Sequence, residues 1–553
     1  MSLTAVVTLT AVVVVVLGVS VATRPRNSST VDFYLAGQRV GVVTNSWAIC
    51  GDYLSAASFL GVAAAVYASG LDGAWYAVGF AAGFVPVLLF VAAPLRRFGE
   101  FSLADFLGRR LQSHRVRLSA VGVVQLVILC YLIPQSLGSG ITWELLVGHG
   151  ILGLSPYVTG VLLSTAVIAV VVAFGGMRGT TWNQAVQFLL LFAALLWLAV
   201  TVSVDGFHYG NADPLNFSHA AGAGVADSEV GLRGGRVGQV ALVVTLAMGT
   251  AGLPHVMNRY FTSPTGRAAR TTTLWVLVLV GAFYAMAVLL GTAARDIIPS
   301  AATEHAWLAD LTVEGVLRVP EHALPVLGRL YGGQSGLGFV AAAALIAAMS
   351  TVAGLLLASA ATWGHDVYER YINPRATQKQ AVRAGRLTTL LGAGLAAGLA
   401  IALRTDGFAP SSPSLVATMV TWAFAIAGSA LTPVVVLSIW WRGITAAAAT
   451  AGMVTGGGLA VTMVLSAEFM DPSALRDLMS APTLVAAPVA IAVTVLVSLR
   501  TPRPEGTDAA WLTMHGTAAD RQAERLASMM VGRGRERMGV RGRVGRRHRG
   551  GES

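Results

Sequence analysis

Charge is what this sequence has least of. Asp, Glu, Lys and Arg make up 12% of its 553 residues, hydrophobic types make up 55%, and mean hydropathy is +0.67. A soluble domain carries about a quarter of its residues as charges. Half that share cannot coat a water-exposed surface, so most of the outside faces lipid. That excludes the several soluble domains that length alone implies. Cysteine is nearly absent too. Cys50 and Cys130 both lie inside apolar segments, which excludes a disulfide framework or a thiolate metal site and leaves two small hydrophobes. The apolar runs lack the alternation of a membrane barrel, the other way to satisfy backbone groups in hydrocarbon. No metal-ligand cluster, Ser–His–Asp set or pair of mid-membrane acids stands out, and His255 and His365 fall near helix ends. An enzyme is therefore not expected. Kinase signatures of a sensor are also missing.

What is present is a series of long apolar segments, and a spanning helix needs about 20 such residues. Thirteen segments meet that length, the first five being Leu3–Val21, Gly41–Gly70, Gly73–Leu95, Leu118–Leu146 and Pro156–Phe174. Thr181–Val204, Val237–Met257, Thr273–Thr292 and Gly336–Trp363 follow. Leu387–Leu403, Ser414–Ile439, Gly443–Leu465 and Thr483–Leu499 complete the set. The expected fold is an all-α polytopic membrane protein with about 13 transmembrane helices.

Arginine placement orients the chain. No Lys or Arg precedes the first segment, while Arg24 and Arg26 follow it directly. It therefore reads as a retained helix with its N-terminus outside, not as a signal peptide. Alternation through thirteen spans puts 19 Lys and Arg in inside loops, 7 in outside loops and 12 in an inside tail. That bias matches the positive-inside rule and implies a multi-pass protein of the cell (inner) membrane with a cytoplasmic C-terminus. It also accounts for the net charge of +11 without nucleic acid as a partner; membrane lipid is the expected one. Two outside loops are long, roughly 205–236 and 295–335, and the weak periodicity of Glu304–Leu311 and Ala323–Tyr331 leads one to expect short helices in the second.

Two spans are not plain lipid-facing stock. The second contains Ile49-Cys50-Gly51-Asp52-Tyr53-Leu54-Ser55-Ala56-Ala57-Ser58, and the seventh contains Gly249-Thr250-Ala251-Gly252-Leu253-Pro254. Gly costs about 1 kcal/mol and Pro about 3 kcal/mol inside a helix. Broken backbone at that depth is tolerated only where it lines a cavity or is buried in protein; the plainer alternative is that the glycines permit close helix packing. The two spans each open a five-helix set. Five is odd, so the second set threads in the opposite direction, giving a 5+5 inverted repeat with a broken first helix in each half. The expected organisation is an extra helix over 1–23, repeats over 41–204 and 237–439, two C-terminal helices over 443–499 and a basic disordered cytoplasmic tail over 500–553.

An acid at a helix centre costs roughly 2.5–3.5 kcal/mol on insertion scales. Asp52 therefore either assists a cation site or caps the broken half-helix. In the ninth span Ser350 and Thr351 offer adjacent hydroxyls and Ala347 a carbonyl one turn earlier. Such hydroxyls either ligate a small hard cation or bond back to their own helix.

At these residues the chain resembles the sodium:solute symporter family, and within it the cation–acetate (monocarboxylate) symporters. The resemblance runs from about Asp32 to about Tyr371 and continues more weakly to Leu499. It rests on Asp32-Phe33-Tyr34-Leu35-Ala36-Gly37, on Gly51 through Gly61, on Gly175 through Trp182, on Gly249 through His255, and on Ser350 through Gly354 followed by His365-Asp366-Val367-Tyr368.

The resemblance implies the leucine-transporter-type fold and Na⁺ as coupling ion, with no organic cofactor. By position it implies a cation site from the carbonyls of Gly51, Leu54 and Ala347 and the hydroxyls of Ser350 and Thr351. Small residues where sugar-transporting relatives place amide, acid and aromatic groups imply a compact pocket for a two- or three-carbon acid. Backbone N–H groups near Tyr53–Ser55 and across Thr250, Ala251 and Gly252 are candidates to face its carboxylate, as half-helix ends do for anions. Ser58 lines the same region. Gln135, after Pro134, either donates to the substrate or joins helices. Arg259 reads as an orientation anchor. Proline, urea, pyruvate and propionate remain alternative solutes.

Overall fold

The computed structural model describes residues 29–516 apart from 100, 208–234, 406–414 and 472, together with scattered positions between 7 and 23. Most of the expected helix over 1–23, and the tail beyond 516, lie outside the described residues.

Helices make up nearly all of the rest. α1 (Val42–Tyr53) is followed by a π-helical turn (Ala57–Gly61) and α2 (Val62–Ser69). α3 (Leu103–Arg110), α4 (His114–Val147) and α5 (Pro156–Val204) complete the first repeat. α6 (Gly235–Gly252), α7 (Pro254–Tyr260), α8 (Gly266–Glu304) and α9 (Ala323–Ala361) open the second. α9 runs on as a π-helical stretch, Thr362–Ile372. α10 (Gln378–Thr405), α11 (Leu415–Ile426) and α12 (Thr432–Trp440) follow, then α13 (Ala446–Ala467), α14 (Thr483–Ser498) and α15 (Thr507–His515). Among the described residues eight helices are long and apolar enough to cross a membrane, and two bent pairs bring the total to ten.

Local chemistry sets several helix starts. The hydroxyls of Ser113, Ser155, Thr265 and Thr445 accept from the N–H three residues on, and Pro156 occupies the first turn of α5. These satisfy orphan donors that hydrocarbon could not. α5 is 49 residues long, far beyond one bilayer crossing. It folds into two legs at Gly176, where φ is 54° and ψ is −160°.

Burial ranks the helices. The most apolar stretch of α9 is wholly enclosed by protein, whereas that of α10 is 28% buried. α9 is thus the central post and α10 belongs to the lipid-facing perimeter.

Both breaks read from the sequence are present. α1 stops at Tyr53, with Leu54 at φ −77°, ψ 81°. α6 and α7 meet at 47° across Leu253, with Pro254 starting the second piece.

The segment over 295–335 holds helix where its periodicity leads one to expect it, at Ala306–Ala309 and from Ala323 on, and adds a feature not expected: α8 continues to Glu304, and Thr312–Val313 pairs with Val316–Leu317 as a hairpin. Its turn residues Glu314 (φ 51°) and Gly315 (φ 81°) carry the two positive φ angles such a two-residue turn needs. Strands of two residues carry no periodic signal. The expected disordered tail over 500–553 is corrected at its start, since Thr507–His515 forms α15. Arg97 donates to the Met514 carbonyl at 2.9 Å, His515 Nε2 lies 2.8 Å from the Ile439 carbonyl, and Met514 is fully buried. Trp511 beneath Arg442, 4.6 Å from ring centre to guanidinium, adds apolar area that the Arg- and Gly-rich remainder lacks.

At Gly176 an added Cβ would stand 2.9 Å from the Phe33 carbonyl, in a region of φ/ψ open essentially to glycine. Gly176→Ala is expected to lower stability by about 1–3 kcal/mol, read as a lower apparent Tm in detergent. An unchanged Tm would show that the two legs of α5 are not held by this bend.

Candidate functional site

The first break is sealed from within. Leu54 N–H donates to Cys50 (2.8 Å), Ser55 N–H to the Tyr53 carbonyl (2.9 Å) and Ala56 N–H to Gln135 Oε1 (3.0 Å). Of the N–H groups expected to be exposed near Tyr53–Ser55, those of Leu54 and Ser55 are therefore already paired, because a buried donor without a partner is costly. Gln135 supplies the joint: its oxygen caps the second half-helix, while its Nε2 is buried and unpaired. Ser58 Oγ contacts the Tyr284 hydroxyl at 2.8 Å.

The second break lies against it. The Tyr53 hydroxyl donates to the Phe80 carbonyl (2.7 Å) and stands 2.9 Å from Thr250 Oγ1, so one residue from each broken span meets the other. Thr432 Oγ1 donates to the Met248 carbonyl at 2.6 Å. The neighbouring glycines make close packing possible: a Cβ at Gly252 would lie 2.5 Å from the Ala427 carbonyl, and one at Gly249 2.6 Å from Phe424 Cβ. Ala251 is buried beside them. Phe84 meets Tyr53 edge-on at 4.7 Å, and Phe424 meets Phe80 at 5.1 Å and Tyr131 at 5.7 Å. His255 packs on Tyr131 at 5.4 Å.

The strongest electrostatic feature was not foreseen. Arg259, read as an orientation anchor, is 1% exposed and faces inward. Its Nε donates to Asp52 Oδ2 at 3.1 Å, its Nη1 to Thr181 Oγ1 at 2.7 Å, and its Nη2 to Gln184 Oε1. Asp52 therefore does not cap a half-helix. It binds the second broken span to the first. A signal existed in α5, where Thr181 and Gln184 stand three residues apart on one helix face of an apolar segment.

The network reaches the residues expected to hold a cation. Gln184 Nε2 donates to the Ser350 carbonyl at 2.7 Å, and Thr351 Oγ1 donates to the Asp52 carbonyl at 2.8 Å. Ser350 Oγ and Asp52 Oδ1 are buried and without hydrogen-bond partners. Two glycines allow this approach: a Cβ at Gly354 would come within 1.8 Å of Asp52 Oδ1, and one at Gly51 within 2.2 Å of the Gln184 carbonyl. Leu54 and Ala347 are fully buried. Beyond Thr181 opens a cavity of about 770 Å³, lined by Asp32, Arg39, Thr44, Arg178, Thr181 and Trp182 among others.

Comparison with known proteins places this architecture. The profile of the sodium:solute symporter family matches residues 33–456. The chain belongs to the sodium:solute symporter family. A Corynebacterium glutamicum protein named monocarboxylic acid transporter is 34% identical over 451 residues, covering 78% of this chain and 77% of its own. A Bacillus subtilis protein named uncharacterized symporter YwcA is 32% identical over 481 residues, covering 86% and 88%. Among solved structures, a Na⁺-coupled sialic acid symporter in a substrate-bound outward-open state superposes with TM-score 0.72 at 16% identity, covering 91% of this chain and 99% of its own. Mhp1, a nucleobase-cation-symport-1 family transporter, gives 0.53 at 13% identity, covering 89% and 98%. Those likenesses establish the fold. This sodium:solute symporter family member is a multi-pass membrane protein built on it.

Removing one partner of a buried ion pair strands the other charge at a cost of about 3–5 kcal/mol. In this family member Arg259→Gln alone is expected to destabilise by that order, and adding Asp52→Asn to recover a large part of it. Simple additivity of the two in thermal or denaturant unfolding would show that the residues are not coupled.

Proposed function

We propose that the chain couples Na⁺ entry to uptake of a short-chain monocarboxylate, acetate or a close relative, by alternating access. The observation that carries the reading is the 2.8 Å contact between Thr351 Oγ1 and the Asp52 carbonyl. It sets the hydroxyl pair of the central helix against the broken end of α1. A cation held there takes the carbonyls of Gly51, Leu54 and Ala347 and the hydroxyls of Ser350 and Thr351. These are hard oxygen donors suited to a hard ion, and Ser350 Oγ has no other partner. Asp52 assists through its nearby charge.

The acid lies between the two breaks. Gln135 Nε2 is its leading donor, with Thr250, Tyr53, Ser55 and Ser58 as further polar contacts, Ala251 and Gly252 as floor, and Phe80, Phe84 and Phe424 as walls. Bulk at those walls favours two or three carbons over a sugar. The monocarboxylic acid transporter relative supports the same substrate class. Orientation follows the arginine bias, with the N-terminus outside and the C-terminus cytoplasmic. One Na⁺ with one carboxylate moves no net charge. Each additional cation adds about 2.3 kcal/mol per 100 mV.

Labelled acetate uptake into proteoliposomes, with Na⁺, Li⁺ and H⁺ gradients imposed separately, tests this reading. Na⁺ alone should drive accumulation, and pyruvate and propionate should compete while proline does not. Accumulation under a proton gradient alone, or none with acetate, contradicts it. Ser350→Ala and Thr351→Ala each remove a charge-assisted contact worth about 1.5–3 kcal/mol. Each should raise the half-maximal Na⁺ concentration about tenfold or more with insertion intact. Unchanged Na⁺ dependence in both removes the site assignment.

A further inference from the structure

Away from the broken spans, α3 brings Asp105 against the adjacent pair His365 and Asp366 at the π-helical end of α9, far from it in sequence. Asp105 and Asp366 are fully buried and His365 is 5% exposed. One ligand atom from each lies within 4.8 Å of the others.

Half of every group is already engaged. Asp105 Oδ1 accepts from Arg117 Nη2 at 3.0 Å. Asp366 Oδ2 accepts from Ser102 Oγ at 2.5 Å, and that hydroxyl in turn accepts from Asp105 N–H at 2.9 Å. His365 Nδ1 lies 2.9 Å from Glu369 Oε2, and its ring stacks on Phe101 at 4.1 Å. The remaining atoms, Asp105 Oδ2, Asp366 Oδ1 and His365 Nε2, are buried and have no hydrogen-bond partner.

The chemistry of those three atoms points one way. A carboxylate on Nδ1 holds the proton there and leaves a lone pair on Nε2. All three atoms are then acceptors. One water molecule has two protons and cannot satisfy three acceptors, whereas a metal ion can. Local charge allows it: Arg117 Nε is 3.9 Å from Asp366 Oδ1 and Arg370 Nη2 3.9 Å from Asp105 Oδ1. Two guanidinium groups against Asp105, Asp366 and Glu369 leave one net negative charge. One imidazole nitrogen and two carboxylates, with a carboxylate behind the histidine, form a donor set for a zinc-type divalent ion with an open fourth position.

We propose that Asp105, His365 and Asp366 bind a zinc-type divalent ion that fastens α3 to the end of α9. This is distinct from the Na⁺ site on the same helix. Because α9 also carries Ser350 and Thr351, an ion here ties a short buried helix to the central post of the bundle.

The test uses the full chain, purified in detergent through a tag without histidines and stripped with chelator. Zn²⁺ alone is titrated by calorimetry, and metal content after desalting is read by mass spectrometry. Wild type is expected to retain one Zn²⁺ per chain and to melt at a higher temperature with the ion than without it. His365→Ala should weaken binding more than a hundredfold, and Glu369→Gln by about 10–100-fold. Both should stay monodisperse in chelator. If His365→Ala fails to fold, the half-exposed Glu369→Gln variant decides the matter. Wild type without stoichiometric Zn²⁺, or unchanged affinity in Glu369→Gln, overturns the proposal. A tight ion that survives His365→Ala is adventitious and overturns it equally.

Discussion

Two buried charges organise the centre of this protein. Asp52 closes the first half of one broken span, Arg259 lies just past the break in the other, and 3.1 Å separates the bonded atoms. A buried pair of this kind contributes little net stability, because desolvation offsets the attraction. Its effect is geometric. The guanidinium also binds Thr181 and Gln184 on α5, and Gln184 and Asp52 each reach one step further to Ser350 and Thr351. Four helices are thereby fixed at one depth, and the loosened backbone of both breaks is directed inward, where hydrocarbon cannot strip it of partners.

That arrangement suits a coupled transporter. The buried side-chain atoms near the breaks that lack a partner include both His255 ring nitrogens and three more, Ser350 Oγ, Asp52 Oδ1 and Gln135 Nε2. In the proposed reading Ser350 Oγ and Asp52 Oδ1 serve the cation, and Gln135 Nε2 donates to the anion. Thr181, which binds the same guanidinium, also lines the large cavity.

Much of this was legible before any coordinates. Hydropathy located the spans because backbone in lipid has so few solutions. Gly249, Gly252 and Pro254, with Asp52 in an apolar run, marked the breaks because each is expensive anywhere else. Arg259 was misread for a physical reason. An arginine near a helix end normally snorkels to the interface, and its partner lies 207 residues away. The same distance problem hid the approach of Asp105 to the adjacent pair His365 and Asp366, which no spacing rule connects to it. α15 escaped because its apolar contacts, Trp511 and Met514, sit in a stretch whose overall composition is polar and basic. The hairpin at Thr312–Leu317 was too short to show a period.

The central claim is that the two broken spans meet at one polar centre, fastened by Asp52 and Arg259, where cation and acid share a site. Cryo-electron microscopy of the protein with and without Na⁺ and acetate tests it most directly. The account predicts added density in direct contact with Ser350 Oγ and Thr351 Oγ1 when Na⁺ is present, and a second feature beside Gln135 when acetate is added. Density for Na⁺ away from α9, or α1 and α6 running on as unbroken helices with Arg259 turned to the surface, would contradict it.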